Sequence, residues 1–433
     1  MNIMSNKRVF FGWWVLLGIF SSYTALVGVQ VYTLPLFYPV LIRDLGWTPE
    51  QVTRPATLFF LTGALVTPFI SSLYDRYSVR LFMTGGAIAT LCGLFAFSSL
   101  QTSNQMIAIY LVLALAQVCS GQVPTMVLVT RWFRRYRGIA VGITLMGTSV
   151  GAAVFPLVVR QVMATGDWRE AVYVLMIICA VMMVLPLIFL IRSHPRELGL
   201  LPDGDPAATA EKATGSGQTV VPEGPDLREA LHMPAFYILA VATGALWFCI
   251  NGVVQHAPIF LGTEMGLGMD TLPLIISVTF WCAIAGKLLF GWLSDRFNKI
   301  LIMLFGVVNL LLGLLILRLS SAENLTSLYA YAAVFGIGFS GTFTMIQLVI
   351  AEFFAGRSYG RILGILTMID VGSGGLAIEA IARLRSAFGS YYPVIELLMG
   401  VCVVVAIMVF MLLRLQLNMR RAGRINNPAT RQE

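Results

Sequence analysis

Residues 280–297 read FWCAIAGKLLFGWLSDRF, an apolar run that carries a single charge, Lys287, before it ends on Asp295 and Arg296. At about 1.5 Å per residue, Lys287 lies roughly 12 Å from that charged turn, near mid-bilayer if the run spans a membrane. A charge at that depth costs at least about 2.5–3.5 kcal/mol on insertion scales. The rest of the chain makes the membrane reading compulsory. Its 433 residues are 58% hydrophobic and 12% charged, about half the charge of a soluble domain, and mean hydropathy is +0.83. The sequence therefore predicts an all-α polytopic membrane protein. The net charge of +8 does not argue for nucleic acid, because the basic residues lie between apolar segments rather than in a patch.

Uncharged stretches predict six spans, at about 11–36, 55–74, 81–100, 106–130, 138–159 and 171–191. Six more follow at about 235–260, 271–293, 300–317, 327–351, 362–382 and 393–413. This divides the chain into an N-terminal half (1–192), a linker (193–232) containing PDGDPAATAEKATGSGQTVVPEGPD, a C-terminal half (233–414) and a tail (415–433). With both termini in the cytoplasm, 21 of the 29 Lys and Arg residues fall on the cytoplasmic side and seven outside, leaving Lys287 alone within a span. The first apolar run is too long for the core of a signal peptide, which predicts a multi-pass protein of the cell membrane. Six cysteines, all inside apolar segments, have no metal-ligand spacing and are expected to be packing residues.

The two halves repeat. LYDRYSVR (73–80) follows the second span and LSDRFNK (293–299) the eighth, with their Asp-Arg pairs 220 positions apart. RGIAVGI (137–143) and GRILGIL (360–366) open the fifth and eleventh spans, and GDW (166–168) and GSY (389–391) precede the sixth and twelfth, at nearly the same offset. Three coincidences at one offset indicate duplicated six-helix halves, which pack around a cavity that opens alternately to each side.

The Asp-Arg turns resemble the signature loop of the major facilitator superfamily, Gly-x-x-x-Asp-Arg-x-Gly-Arg. Gly291, Asp295 and Arg296 match it in the second half; in the first, Ser71 and Ser78 replace the glycines while Asp75, Arg76 and Arg80 remain. The resemblance implies that these residues form a cytoplasmic gate. FFGWWVLLGIF, RWFRRYRGIAVGITLMGTSVG, GKLLFGWLSDRF, SYGRILGIL and GSYYPV further resemble the monocarboxylate porter and oxalate–formate antiporter branch, over most of the chain outside linker and tails.

That resemblance gives Lys287, four residues before Gly291, the role of binding substrate carboxylate. The physics agrees: a cation in a low-dielectric cavity attracts an anion, and roughly 12 Å exceeds what a snorkelling lysine spans. Asp370, nine residues after Arg361, lies at nearly the same depth, about 13 Å. The expectation is a Lys287–Asp370 pair in the empty carrier, with substrate competing for Lys287 while Asp370 takes up a proton. The alternative is a structural interhelical pair. Oxalate antiporters carry a second cation where this chain has Leu366, so one cation with one acid favours a monocarboxylate. Gln30 in GVQ, Gln122 on the fourth span, and Phe339 with Phe343 on one face of the tenth are the implied cavity lining, or else helix packing. Asn251 and His256 share the seventh span in INGVVQHAPIF; Asn251 is a substrate-site candidate, and His256 is either an external proton acceptor or a hydrogen-bonded structural residue. Glu379 with Arg383 is expected as a surface pair, Glu352 as part of the cytoplasmic latch, and Gly142, Gly147, Gly151, Gly372, Gly374 and Gly375 as sites of close helix approach.

No Gly-x-x-x-x-Gly-Lys-Ser/Thr loop or nucleophile–base arrangement stands out, so neither ATP-driven pumping nor an enzyme finds support. The sequence reading is a monomeric secondary carrier without cofactor, a proton-coupled symporter of a small organic anion such as lactate, pyruvate or formate. Its rivals are an organic-anion exchanger or exporter, an efflux carrier of another solute, and a transporter-like receptor.

Overall fold

The computed structural model describes residues 10–73, 77–133, 136–204, 225–354 and 359–421. Twelve long helical rods account for most of them. In the first half these are α1 (Gly12–Leu45), α2 (Pro49–Leu73), α3 (Val79–Ser98), α4 (Ser103–Trp132), α5 (Arg137–Met163) and α6 (Trp168–Phe189). In the second they are α7 (Pro234–Glu264), α8 (Leu272–Arg296), α9 (Lys299–Leu319), α10 (Leu325–Phe354), α11 (Tyr359–Phe388) and α12 (Tyr392–Arg421). Eleven are long and apolar enough to cross a membrane. The remaining one, α2, is also 25 residues long, and it carries Glu50, Arg54, Pro55 and Pro68.

The chain divides into two compact units, Met1–Thr219 and Val220–Glu433. Within the first, α3 packs on α4, α2 on α4, α1 on α5 and α3 on α6. Within the second, α9 packs on α10, α8 on α10, α7 on α11 and α9 on α12. Adding six to every helix number turns one set into the other, so the duplication read from three motifs extends to the packing. The glycines show how closely. A Cβ on Gly93 of α3 would lie 2.6 Å from Leu113 Cδ2 of α4, and one on Gly313 of α9 would lie 2.8 Å from Phe335 Cα of α10. The two glycines stand 220 positions apart.

Prolines set the irregularities, because a proline offers no N–H to the carbonyl four residues back. Pro124 leaves Ser120 without that donor, and α4 duly breaks at Gly121 into Ser103–Ser120 and Gln122–Trp132. The continuous fourth span expected from sequence is therefore two half-helices. Pro186 likewise frees the Met182 carbonyl within a π-helical turn, Ala180–Val184, and Ser21 of α1 donates to it at 2.9 Å. In α1 a π-helical turn, Gly28–Thr33, precedes Pro35, and the Thr33 hydroxyl donates to the Gly28 carbonyl at 2.7 Å. The first rod then runs on past the predicted end to Leu45, where Gly46 at φ 68 stops it.

The faintest predicted boundary, SSLQTSNQ, is a built one. Thr102 and Gln105 form a reciprocal capping box at the start of α4. The predicted linker is described only at its edges, with a short 3-10 turn at Pro195–Leu198 and a helix at Leu227–His232; residues 205–224 lie outside the described residues.

Candidate functional site

Most of the candidate residues lie in the second unit, on α7, α8, α10 and α11. Asp370 of α11 is 1% exposed, and its Oδ1 accepts a hydrogen bond of 2.7 Å from Thr243 of α7, itself 0% exposed. The expected pairing with Lys287 is thereby corrected. The reason lies in the topology: α11 packs on α7, whereas α8, which carries Lys287, packs on α10. Equal depth put the two charges on one level and different helix pairs separated them. Lys287 is partly exposed, with its ammonium 5.8 Å from the centre of the Phe343 ring.

The two predicted phenylalanines of α10 differ. Phe343 is partly exposed, but Phe339 is 6% exposed and packed edge-on against Phe280 of α8 at 5.8 Å. Phe339 therefore makes a packing contact between α8 and α10. Trp247 of α7, which the sequence reading passed over, meets Phe343 at 5.5 Å with ring planes at 68°. Trp247 lies one turn after Thr243 and one turn before Asn251, and that 3.6-residue stripe was the signal available in the sequence. Asn251, 5% exposed, donates from Nδ2 to the Gly374 carbonyl of α11 at 2.8 Å.

His256, 3% exposed, has both ring nitrogens engaged. Nε2 lies 2.8 Å from the Ile378 carbonyl, which can only accept, so Nε2 carries the hydrogen. Nδ1 faces the Tyr391 hydroxyl at 2.7 Å. Tyr391 is tied in turn through its backbone N–H to Glu264, which also receives Arg385 Nε at 3.0 Å and Ser390 Oγ at 3.0 Å. This knot joins the ends of α7, α11 and α12.

In the first unit, Gln30 sits in the π-helical turn of α1, 3% exposed. Its Nε2 donates to Thr90 Oγ1 of α3 at 3.0 Å, while its Oε1 is buried with no hydrogen-bond partner. Gln122 is exposed and is the first residue of the second half-helix of α4. Gln30 and Gln122 both belong to the first unit.

Of the predicted gate, Asp75 and Arg76 lie outside the described residues, as does the side chain of Asp295. Arg80 donates from Nε to the Leu187 carbonyl at 2.8 Å and from Nη2 to Ile188 at 3.2 Å, placing a cation at the C-terminal end of α6. Arg296 is exposed and stacks on Trp292 at 4.1 Å. Glu352 receives Lys299 Nζ at 2.8 Å and Gln416 Nε2 at 3.1 Å, fastening α10 to α9 and α12. Glu379 and Arg383 form the expected pair at 2.9 Å. Gly147 and Gly151 approach Thr24 closely and Gly374 approaches Asn251, whereas Gly142 and Gly372 face open space. Among the described residues no group of three or more His, Cys, Asp or Glu is arranged to hold a metal ion.

Twelve membrane-length helices in two matching units, one of them carrying a deep lysine and a deep carboxyl, define a polytopic membrane transporter. The chain belongs to the Major Facilitator Superfamily, whose family model matches residues 15–376 and 264–431. It is 24% identical over 391 residues to the MFS transporter asaE of Aspergillus flavus, covering 88% of this chain and 78% of that one. It is also 24% identical over 359 residues to the Escherichia coli MFS-type transporter YhjX, with 82% and 83% covered. Among solved structures, the nucleoside transporter NupG superposes with a TM-score of 0.72 at 14% identity, covering 93% of this chain and 99% of that one. At that identity the likeness shows the fold alone.

Proposed function

We propose that this member of the superfamily belongs to its monocarboxylate porter and oxalate–formate antiporter-like branch. It carries an organic monocarboxylate, with lactate, pyruvate and formate as the first candidates, together with a proton by alternating access. It lies in the cell membrane with both termini cytoplasmic, the side to which most of its Lys and Arg residues fall. The observation that carries the reading is the placement of Lys287. A lysine nine residues inside α8, partly exposed beside the Phe343 ring, is a cation within an apolar segment that a substrate carboxylate would stabilise. At about 4 Å and an effective dielectric constant near 20, that attraction is of order 4 kcal/mol.

Asp370 supports the proton half of the reading. A carboxyl group 1% exposed and held by one neutral hydroxyl is costly when charged, and a proton relieves that cost. Because Asp370 and Lys287 sit on different helix pairs, coupling runs through helix packing rather than through exchange of one ion pair. Gln30 adds an uncommitted buried acceptor in the first unit. His256 enters as a fixed hydrogen-bonding post between α11 and α12.

The test is uptake of radiolabelled lactate, pyruvate, formate and oxalate into proteoliposomes under an inward proton gradient, comparing wild type with Lys287→Met. Gradient-stimulated monocarboxylate uptake that the substitution abolishes is the expected result. Robust uptake indifferent to the substitution would overturn the role of Lys287, and movement of none of the four would exclude these small anions as its substrates.

A further inference from the structure

On α7, three residues one turn apart face α10 and α11. The outer two are committed: Thr243 bonds Asp370 and Asn251 bonds the Gly374 carbonyl. Between them Trp247 has no such duty, and its indole is partly exposed. The indole also lies beside Gly374 of α11, where a Cβ would be in ordinary contact with Trp247 Cε3 at 3.5 Å. The indole and the Phe343 ring form an edge-to-face pair, an arrangement that leaves ring faces uncovered by the partner. The Lys287 ammonium lies 5.8 Å from the Phe343 ring.

Other aromatics of α10 behave differently. Tyr331, Phe335 and Phe339 are 2%, 1% and 6% exposed and stack along the helix as core. The repeat does not require the exposed pair either. Positions 220 residues before Phe343 and Lys287 hold Val123 and Thr67, so neither the ring nor the cation is part of the duplicated packing. Three partly exposed groups from three helices, two flat and one cationic, make a site with a charged end and an apolar wall.

We infer that Trp247 is the specificity-determining residue of the Lys287 site, and that the site prefers a carboxylate with a flat apolar body, an aryl carboxylate, over formate-sized anions. This rests on the reading of Lys287 as the anion anchor and deepens it. The carboxylate meets Lys287, while the body lies against Trp247 and Phe343, where an aromatic contact adds to the area it buries.

The experiment measures the Kd of benzoate and of formate for the purified full-length protein in detergent. Wild type is compared with Trp247→Ala, Trp247→Phe and Lys287→Met. Wild type is expected to bind benzoate more tightly than formate. Trp247→Ala should weaken benzoate by at least about tenfold and formate by less than about twofold, with Trp247→Phe between. Should Trp247→Ala fail to fold, Trp247→Phe decides, since it keeps a ring. Wild type binding formate as tightly as benzoate, or a tryptophan substitution weakening both equally, overturns the inference and leaves the anion reading standing if Lys287→Met abolishes binding. Binding indifferent to Lys287→Met, or no binding of either anion, overturns both.

Discussion

Replacing Thr243 with valine deletes one hydroxyl and keeps the shape of the side chain, so it isolates the hydrogen bond to Asp370. Both residues are at most 1% exposed, and the bond is 2.7 Å; valine therefore leaves Oδ1 without its donor. A hydrogen bond to a charged group contributes about 1.5–3 kcal/mol, and one between neutral groups about 0.5–1.5. The hydroxyl donates, so it stabilises the ionised carboxylate more than the protonated acid, and its loss costs more where Asp370 is charged. The penalty of Thr243→Val should be about 2 kcal/mol at alkaline pH and about 1 kcal/mol once Asp370 has taken a proton. For a unit of this size each kcal/mol moves the melting temperature by about 2–4 °C. The assay is thermal unfolding in detergent from about pH 5 to pH 9, wild type against variant, with Thr243→Ser as the variant that keeps the donor. The expected difference in Tm is about 4–8 °C at the alkaline end and half that at the acid end. A penalty that does not vary with pH would mean that Asp370 keeps one protonation state across the range, which removes its proton-carrying role.

The glycine pair offers a test of the repeat. Gly313→Ala meets backbone atoms of Phe335 at 2.8 and 2.9 Å and should lose about 1–3 kcal/mol, whereas Gly93→Ala meets the movable end of Leu113 and should lose less than about 1. Equal Tm losses would refute the distinction. Glu352→Ala strands the amide of Gln416, which is 1% exposed, and should lower stability by about 2–4 kcal/mol. Glu396→Ala breaks the exposed Arg318 pair and should cost under about 1 kcal/mol in the same unfolding assay.

The spans, their number and the duplication were legible in the sequence because they rest on long apolar runs and a fixed offset, signals that tertiary packing does not alter. The site was legible as composition and not as contact. Depth along a helix follows from counting residues, which is why Lys287 and Asp370 could be placed on one level. Which helix each faces follows from packing between helices far apart in sequence, so Thr243 as the partner of Asp370 was out of reach. Phe339 and Phe343 share a helical face, yet one is packed on Phe280 and the other partly exposed, a difference set by the neighbouring helix. The break in α4 was readable in principle from Pro124, had its missing N–H been set against the Ser120 carbonyl.

The duplication also shows where chemistry was added to architecture. In the first unit the start of α3, the end of α4 and the segment after α6 are tied by Ser78, Trp132 and the Arg192–Ser193 backbone and hydroxyl: Ser78 to Ser193 at 2.7 Å, and the Trp132 indole to the Arg192 carbonyl at 3.0 Å. In the second, the matching positions are Asn298, Glu352 and Gln416: Asn298 to Gln416 at 2.7 Å, and Gln416 to Glu352 at 3.1 Å. One offset of 220 relates Ser78 to Asn298 and Trp132 to Glu352. The tie recurs at the same three places with different atoms, so what the repeat requires is the junction and not the residue type. Lys287 and Asp370 follow no such rule. Position 67, the counterpart of Lys287, is a threonine whose hydroxyl bonds its own helix at Gly63. The duplicated packing does not call for a cation at this position, and for that reason the proposal gives Lys287 a role in binding.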